Sequence, residues 1–259
     1  MKSLDAVVIT GAGRGLGKAV AKKTASLGVP VLCISRSRNA ESTCLEIQQS
    51  RGQAESLILD LADLAASEYE VGRWISQKSY QRIGLVLCAA VTGEAGGVAD
   101  GDLENWLEVY RVNVLGNLAV LKALLPRMRE ARFGRVVTFA GGGAAYAYPL
   151  FSGYALSKTA MVRATENLHE ELKGLGDFLS VCVAPGAMET DMLAKVRAAG
   201  AEVRTTVSLE EPVEFVTTFL KAQECAFSGR FVHVRDAWRE WMQTTPMPEE
   251  QWLLRRIAK

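Results

Sequence analysis

Residues 6–17 read AVVITGAGRGLG: an apolar run, Ala6–Thr10, that breaks into a turn with glycine at 11, 13, 15 and 17. The run has the length and β-branched content of a strand. It lacks polar alternation, which suits a strand covered on both faces. Apolar residues at helical spacing follow over 17–27 and stop at Gly28, a residue suited to the left-handed position after a helix. Strand, glycine turn and helix in that order decide the fold class.

Outward from this unit the alternation repeats. Runs at 31–35, 56–59, 83–88, 135–139, 178–183 and 230–234 read as further strands. Helical spacing falls at 41–50, 103–131, 153–172 and 208–221. Pro126 is expected to kink or split the long 103–131 segment. Ser208 with Glu211 has the spacing of a capping box. The pattern predicts an α/β fold: a doubly wound parallel sheet of about seven strands in a three-layer αβα Rossmann arrangement. No linker or repeat interrupts it, so one domain over 1–259 is expected. Within it, 236–259 forms a packing tail carrying Trp238, Trp241, Met242, Met247 and Trp252. That tail packs either on its own domain or on another subunit.

A glycine turn in this context is built to receive a dinucleotide. Gly11 permits the sharp turn, Gly15 lets the backbone approach a pyrophosphate, and Gly17 permits close packing of the helix. The N–H groups and dipole at the helix start favour phosphate charge. A tight turn without ligand is the plain alternative. The second strand ends at Ser35-Arg36, with Arg38 beyond and no acid before Glu41. An acid there would bind a ribose 2′-hydroxyl, whereas arginine accommodates a 2′-phosphate. NADP(H) is therefore expected over NAD(H), with Arg14 adding charge; the other reading makes Arg36 and Arg38 solvated surface residues. Asp60 either contacts the adenine edge or caps a helix.

With these residues in view, the sequence resembles the short-chain dehydrogenase/reductase family. TGAGRGLG at 10–17 is similar to that family's TGxxxGxG, and Tyr154-Ala-Leu-Ser-Lys158 to its YxxxK. Asn113 in RVNVLG, Pro185-Gly186 and Thr190 match further landmarks in the family's order. The resemblance implies Tyr154, Lys158 and Asn113 as catalytic residues. It implies cofactor contacts from Gly11, Arg14, Gly15, Leu16, Gly17, Ser35, Arg36, Asp60, Leu61, Ala89, Tyr154, Lys158, Pro185, Gly186 and Thr190. Tyr154 and Lys158, four apart, share a helix face. An adjacent ammonium lowers a phenol pKa, which readies Tyr154 to exchange a proton while hydride moves. Asn113 is expected to hold a water of a proton relay behind Lys158, and Thr190 to bond the nicotinamide carboxamide.

Two departures stand out. The family's catalytic serine, thirteen positions before the tyrosine, falls on Gly141. Thr138, three residues earlier in the strand, is one replacement to weigh, while Ser152 lies at a different place, on the loop-to-helix junction; the other candidates are Tyr146, Tyr148, a backbone N–H of Gly141–Gly143, or a group on the substrate. The family's NNAG is Leu87-Cys-Ala-Ala90 here, which is expected to remove polar braces of the sheet. The segment 187–207, with Lys195, Arg197 and Arg204, is a lid candidate.

Composition narrows the function. Thirty Lys and Arg against 29 Asp and Glu give a net charge of +1, no electrostatic basis for a nucleic acid or membrane partner. Five cysteines without CxxC spacing read as buried apolar residues, and two distant histidines argue against a metal site. No signal peptide is read at the N-terminus, and no apolar run nears the ~20 residues of a membrane span. The expectation is a cytoplasmic NADP(H)-dependent oxidoreductase that interconverts a carbonyl and a secondary alcohol in a small-molecule substrate. A homodimer or homotetramer is implied by the resemblance, using helices 103–131 and 153–172. The alternatives are a redox-neutral isomerase, epimerase or lyase, and a dinucleotide-binding protein with impaired catalysis.

Overall fold

A computed structural model describes residues 4–242 other than 202 and 204. Seven parallel strands form one sheet: β1 (Ala6–Thr10), β2 (Val31–Ser35), β3 (Ala54–Ile58), β4 (Ile83–Leu87), β5 (Phe133–Phe139), β6 (Asp177–Ala184) and β7 (Arg230–His233). Their spatial order is β3-β2-β1-β4-β5-β6-β7. The chain winds outward from β1 to β3, then crosses back to lay β4 beside β1, with Val7 paired to Val31 on one side and Gly84 on the other. The β1/β4 junction is thus the topological switch point, where the carboxyl ends of the strands leave a crevice.

Alternation along each buried strand sends neighbours to opposite layers. Val7, Ile9, Cys33, Val137 and Val183 face one core. They pack there with Leu16, Val20 and Ala21 of α1 (Gly15–Ser26) and Val213, Phe215 and Phe219 of α9 (Glu210–Lys221). Val8, Leu32, Leu85 and Val136 face the other core. Val71 and Ile75 of α3 (Leu64–Ser76), Leu121 and Leu124 of α5 (Asn117–Ala131), and Met161 and Leu168 of α7 (Ser152–Leu172) cover that side. Burial on both faces is why β1, β4 and β5 read as unbroken apolar runs. The remaining α-helices among the described residues are α2 (Asn39–Gln49), α4 (Leu103–Tyr110), α6 (Gly142–Ala145), α8 (Asp191–Ala198) and α10 (Trp238–Trp241).

Several local expectations change. The break in the 103–131 segment is not at Pro126, which lies inside α5. It is a π-helical stretch, Arg111–Gly116, between α4 and α5. There Gly116 lies so close to the backbone carbonyl of Leu61 that a Cβ would not fit. The Ser208–Glu211 box does not form: Leu209 occupies the cap position, one residue out of register, and no side chain caps α9. Helix α3, capped by Asp63 accepting from Ala66 N–H, was not anticipated. The described part of the tail packs on its own sheet. Trp238 is buried, its ring edge-on to Phe215 at 4.9 Å and its Nε1 donating to the Val234 carbonyl. Met247 and Trp252 lie outside the described residues.

Candidate functional site

The glycine turn sits at the switch point, and two of its glycines are imposed by backbone contact. Gly11 has φ +69°, and a Cβ there would meet Ala89 Cα at 2.8 Å. A Cβ on Gly17 would overlap the Gly11 carbonyl. Gly15, at φ +53°, faces only the methyl of Thr190 at 3.7 Å. Gly13, to which the sequence reading gave no role, lies against Asn39 Cβ and Ser35 Oγ at 2.8 and 3.0 Å from where its own Cβ would be. Arg14 precedes α1 and supplies no side-chain cap. No Arg14 side-chain cap takes up the N–H groups at the start of α1, which leaves donors there for a phosphate, while the Gly17 N–H faces the Cys88 thiol. The Leu16 side chain itself belongs to the core.

The β2 exit is polar and open. Ser35 Oγ donates to Ser37 O and accepts from Ala40 N–H, shaping the turn into α2. Arg36 and Arg38 are exposed. Arg14 does not stand alone as a phosphate ligand, because its guanidinium pairs with Asp191 at 2.9 Å. Asp60 accepts from Ala62 N–H and is not the helix cap, while Leu61 is buried in the second core. Pro185 and Gly186, the latter at φ +75° against Val207, lead into α8, whose cap is Thr190 accepting from Leu193 N–H. Around that segment, Lys195 donates to Gly93 O at 2.7 Å and Arg197 pairs with Glu189. Lys195 thus ties the lid candidate to the loop after β4, whereas the Arg197–Glu189 pair braces the segment internally; Arg204 lies outside the described residues.

The polar braces expected to be lost at Leu87 and Cys88 come from elsewhere. Thr10 Oγ1 donates to Asn117 Oδ1 at 2.7 Å and accepts from Ala89 N–H, while Asn117 Nδ2 donates to Ala89 O. Thr10 and Asn117 are buried, and together they tie β1 to the β4 exit. Sequence reading missed Asn117 because its signal is one asparagine on a helix four residues after Asn113. The π-helical stretch turns Asn113 inward, where its amide bonds both the N–H and the carbonyl of Val91 and donates to Ser157 Oγ. Ser157 in turn donates to the Tyr154 carbonyl.

Tyr154 and Lys158 share one face of α7, next to the end of β5. A Cβ built on Gly141 would be 3.2 Å from the Tyr154 hydroxyl and 3.8 Å from Lys158 Cγ. Position 141 therefore faces the phenol directly. Lys158 is buried and donates to Phe139 O at 3.1 Å, its ammonium 5.5 Å from the Tyr154 ring centre. The electrostatics differ from expectation: the phenol of Tyr154 is pushed up, chiefly because its surroundings exclude water. The ammonium aimed at Phe139 does not offset this. Burial also pushes Lys158 down and the nearby Cys88 thiol up to about 12. Among the described residues no cluster of His, Cys, Asp or Glu could hold a metal, and no helix is long and apolar enough to cross a membrane.

Comparison with known proteins fits this geometry. The family model for short chain dehydrogenases matches residues 5–201. A short chain dehydrogenase of Pseudocercospora fijiensis is 31% identical over 188 residues, 71% of this chain and 60% of that protein; the chain spans less than two thirds of that relative's length. The 3-oxoacyl-[acyl-carrier-protein] reductase of Escherichia coli is 26% identical over 242 residues, 88% of this chain and 94% of that one. Among solved structures, a Beutenbergia cavernae protein with NADP bound at low occupancy superposes with a TM-score of 0.81. It is 26% identical, covering 92% of this chain and 98% of its own. The seven-stranded parallel sheet with its switch-point glycine turn, and the family match over most of the chain, place it in the short-chain dehydrogenase family of oxidoreductases, which bind a nicotinamide dinucleotide.

Proposed function

We propose that this chain is an NADP(H)-dependent oxidoreductase that interconverts a carbonyl and a secondary alcohol of a small molecule, with Tyr154 as the proton donor and acceptor. The observation that carries the reading is the juxtaposition of the Tyr154 phenol with position 141 and Lys158 beside the switch-point turn. The dinucleotide fits the residues present. Glycines 11, 15 and 17 keep the cradle open, the uncapped start of α1 offers its N–H groups, and Arg36 stands at the β2 exit with no competing acid. The Ala89 backbone lies against Gly11 and the Thr190 methyl faces Gly15; we assign these two, with Leu61, Pro185 and Gly186, to the cofactor as well. Bound there, the dinucleotide supplies or accepts a hydride.

The chain's own residues handle the proton and the positioning. A water-excluding wall keeps Tyr154 protonated at neutral pH, so in the reductive direction it gives its proton to the oxygen that becomes the alcohol. Lys158, bonded to Phe139 O, is placed to orient the cofactor ribose. Asn113 fixes the start of α7 through Ser157. The E. coli relative, a 3-oxoacyl-[acyl-carrier-protein] reductase, supports carbonyl reduction as the reaction type. A homo-oligomeric state is supported by exposed apolar side chains on the expected helices, Leu103, Leu107, Leu115 and Leu156.

The glycine at 141 favours one second reading, a dinucleotide-binding protein with impaired turnover. Tyr154→Phe separates the two. The oxidoreductase reading expects kcat on a panel of ketones, followed by nicotinamide absorbance, to fall about a hundredfold or more, with cofactor affinity retained. Cofactor binding without turnover in either protein would favour the second reading.

A further inference from the structure

Position 141 faces the Tyr154 hydroxyl but carries no side-chain donor, so a carbonyl oxygen at that phenol lacks a second side-chain hydrogen bond from there. The nearby hydroxyls are engaged elsewhere. Thr138 Oγ1 is buried, 2.6 Å from Thr165 Oγ1. Ser152 Oγ donates to Pro149 O, Ser157 Oγ to the Tyr154 carbonyl, and Thr92 Oγ1 to Gly93 O. Tyr146 is 65% exposed.

Tyr148 is different. Its Cβ lies 3.4 Å from where a Cβ on Gly143 would be, two residues from Gly141. Its ring stacks on Phe151 at 5.7 Å and 25°, and Phe151 is buried. Phe151 N–H donates to the Tyr148 carbonyl at 3.0 Å, and Phe151 opens α7 one turn before Tyr154. The ring is therefore fixed to the same helix start that presents the catalytic phenol. Glycine at 143 keeps the intervening loop tight: a side chain there would run into Ala155 Cβ at 2.7 Å.

We propose that Tyr148 is a second catalytic hydroxyl, donating to the reacting oxygen in place of a side chain at position 141. The inference rests on the oxidoreductase reading above. In reduction, the carbonyl carbon gains hydride, the C=O π pair moves to oxygen, and that oxygen takes the proton of Tyr154. Tyr148 keeps its proton and stabilises the developing negative charge. Partial burial pushes its pKa up, which keeps it a donor. A phenol is also a more acidic donor than an aliphatic hydroxyl.

The test uses the full chain, NADPH and a panel of simple ketones, β-keto esters and aldehydes. Tyr148→Phe keeps the ring and its stack. It is expected to lower kcat about a hundredfold with the KM for NADPH unchanged. Adding Gly141→Ser to Tyr148→Phe is expected to recover about tenfold or more, because serine brings a donor to the space facing Tyr154. Two results overturn the assignment: Tyr148→Phe within about twofold of the parent, or a loss that Gly141→Ser does not repair although both variants melt like the parent. A parent that reduces no member of the panel, or a Tyr154→Phe variant as active as the parent, defeats the underlying oxidoreductase reading instead.

Discussion

The turn after β1 and the turn after β5 end at the same edge of the sheet, separated only by β4, and both are rich in glycine. They use it for different reasons. Gly11 and Gly17 face backbone: the β4 exit on one side, their own turn on the other. Gly11 also needs a positive φ, so no L side chain is accommodated there. Gly141 does not have a positive φ, and the atoms its Cβ would meet belong to the side chains of Tyr154 and Lys158. Glycine is a condition of the fold in the first turn. In the second it sets what stands beside the Tyr154 phenol. The first turn therefore tolerates little change, whereas the second can change its side chain without a change of backbone.

The largest expected effect tests that contrast. Gly17→Ala drives a methyl into the Gly11 carbonyl and must displace backbone. A loss of about 3 kcal/mol in unfolding free energy and of measurable NADPH binding is expected. Gly141→Ala needs only a few tenths of an ångström from a side chain and is expected to cost below about 0.5 kcal/mol. Urea unfolding of the two variants measures both. Similar losses would show that position 141 is constrained by the backbone after all.

Next in size is the brace between the two regions. Asn117→Ala leaves the Thr10 hydroxyl and the Ala89 carbonyl short of partners in a buried setting. An orphaned buried polar group costs about 1–3 kcal/mol, and the β4 exit against which Gly11 packs would lose its tether. We expect Asn117→Ala to weaken NADPH binding as well as stability. A variant that loses stability but binds NADPH normally would confine the brace to the sheet.

The parts legible in the sequence were those written in periodicity and local backbone demand. Runs such as AVVIT and FLSVCV announce strands covered on both faces, and Gly11 and Gly17 announce a turn with no room for side chains. The illegible parts depend on groups distant in the chain. The Thr10–Asn117–Ala89 network joins residues 107 apart, and nothing near Leu87-Cys88 signals that its polar support comes from α5. The π-helical stretch that aims Asn113 at Val91 has no distinct periodicity over six residues, so Pro126 drew the expectation of a break instead. The ion pair of Arg14 is equally hidden from its own turn, because its partner Asp191 lies 177 residues away. The acidity of Tyr154 was misjudged for a related reason. The YxxxK spacing gives a shared face, but the direction of the ammonium depends on Phe139 O, which spacing does not reveal.

The smallest effect concerns which dinucleotide the cradle takes. With Arg14 paired to Asp191 and Ser35 turned into its own loop, Arg36 and Arg38 are the exposed cations after β2, and Arg36 directly follows the strand. A 2′-phosphate on the adenosine ribose would meet it there, whereas a 2′-hydroxyl would gain little from its charge. Arg36→Ala is therefore expected to weaken NADPH binding about tenfold and NADH binding by less than about twofold, as read by fluorescence titration. Because the contact is solvent-exposed, the preference should shrink as salt rises from about 0.05 to 0.5 M. Arg14→Ala should do less than Arg36→Ala, since Arg14's charge is already shared with Asp191. Equal weakening of both dinucleotides by Arg36→Ala would move the discrimination away from the β2 exit, and the cradle would then be indifferent to the phosphate that its neighbouring arginines suggest.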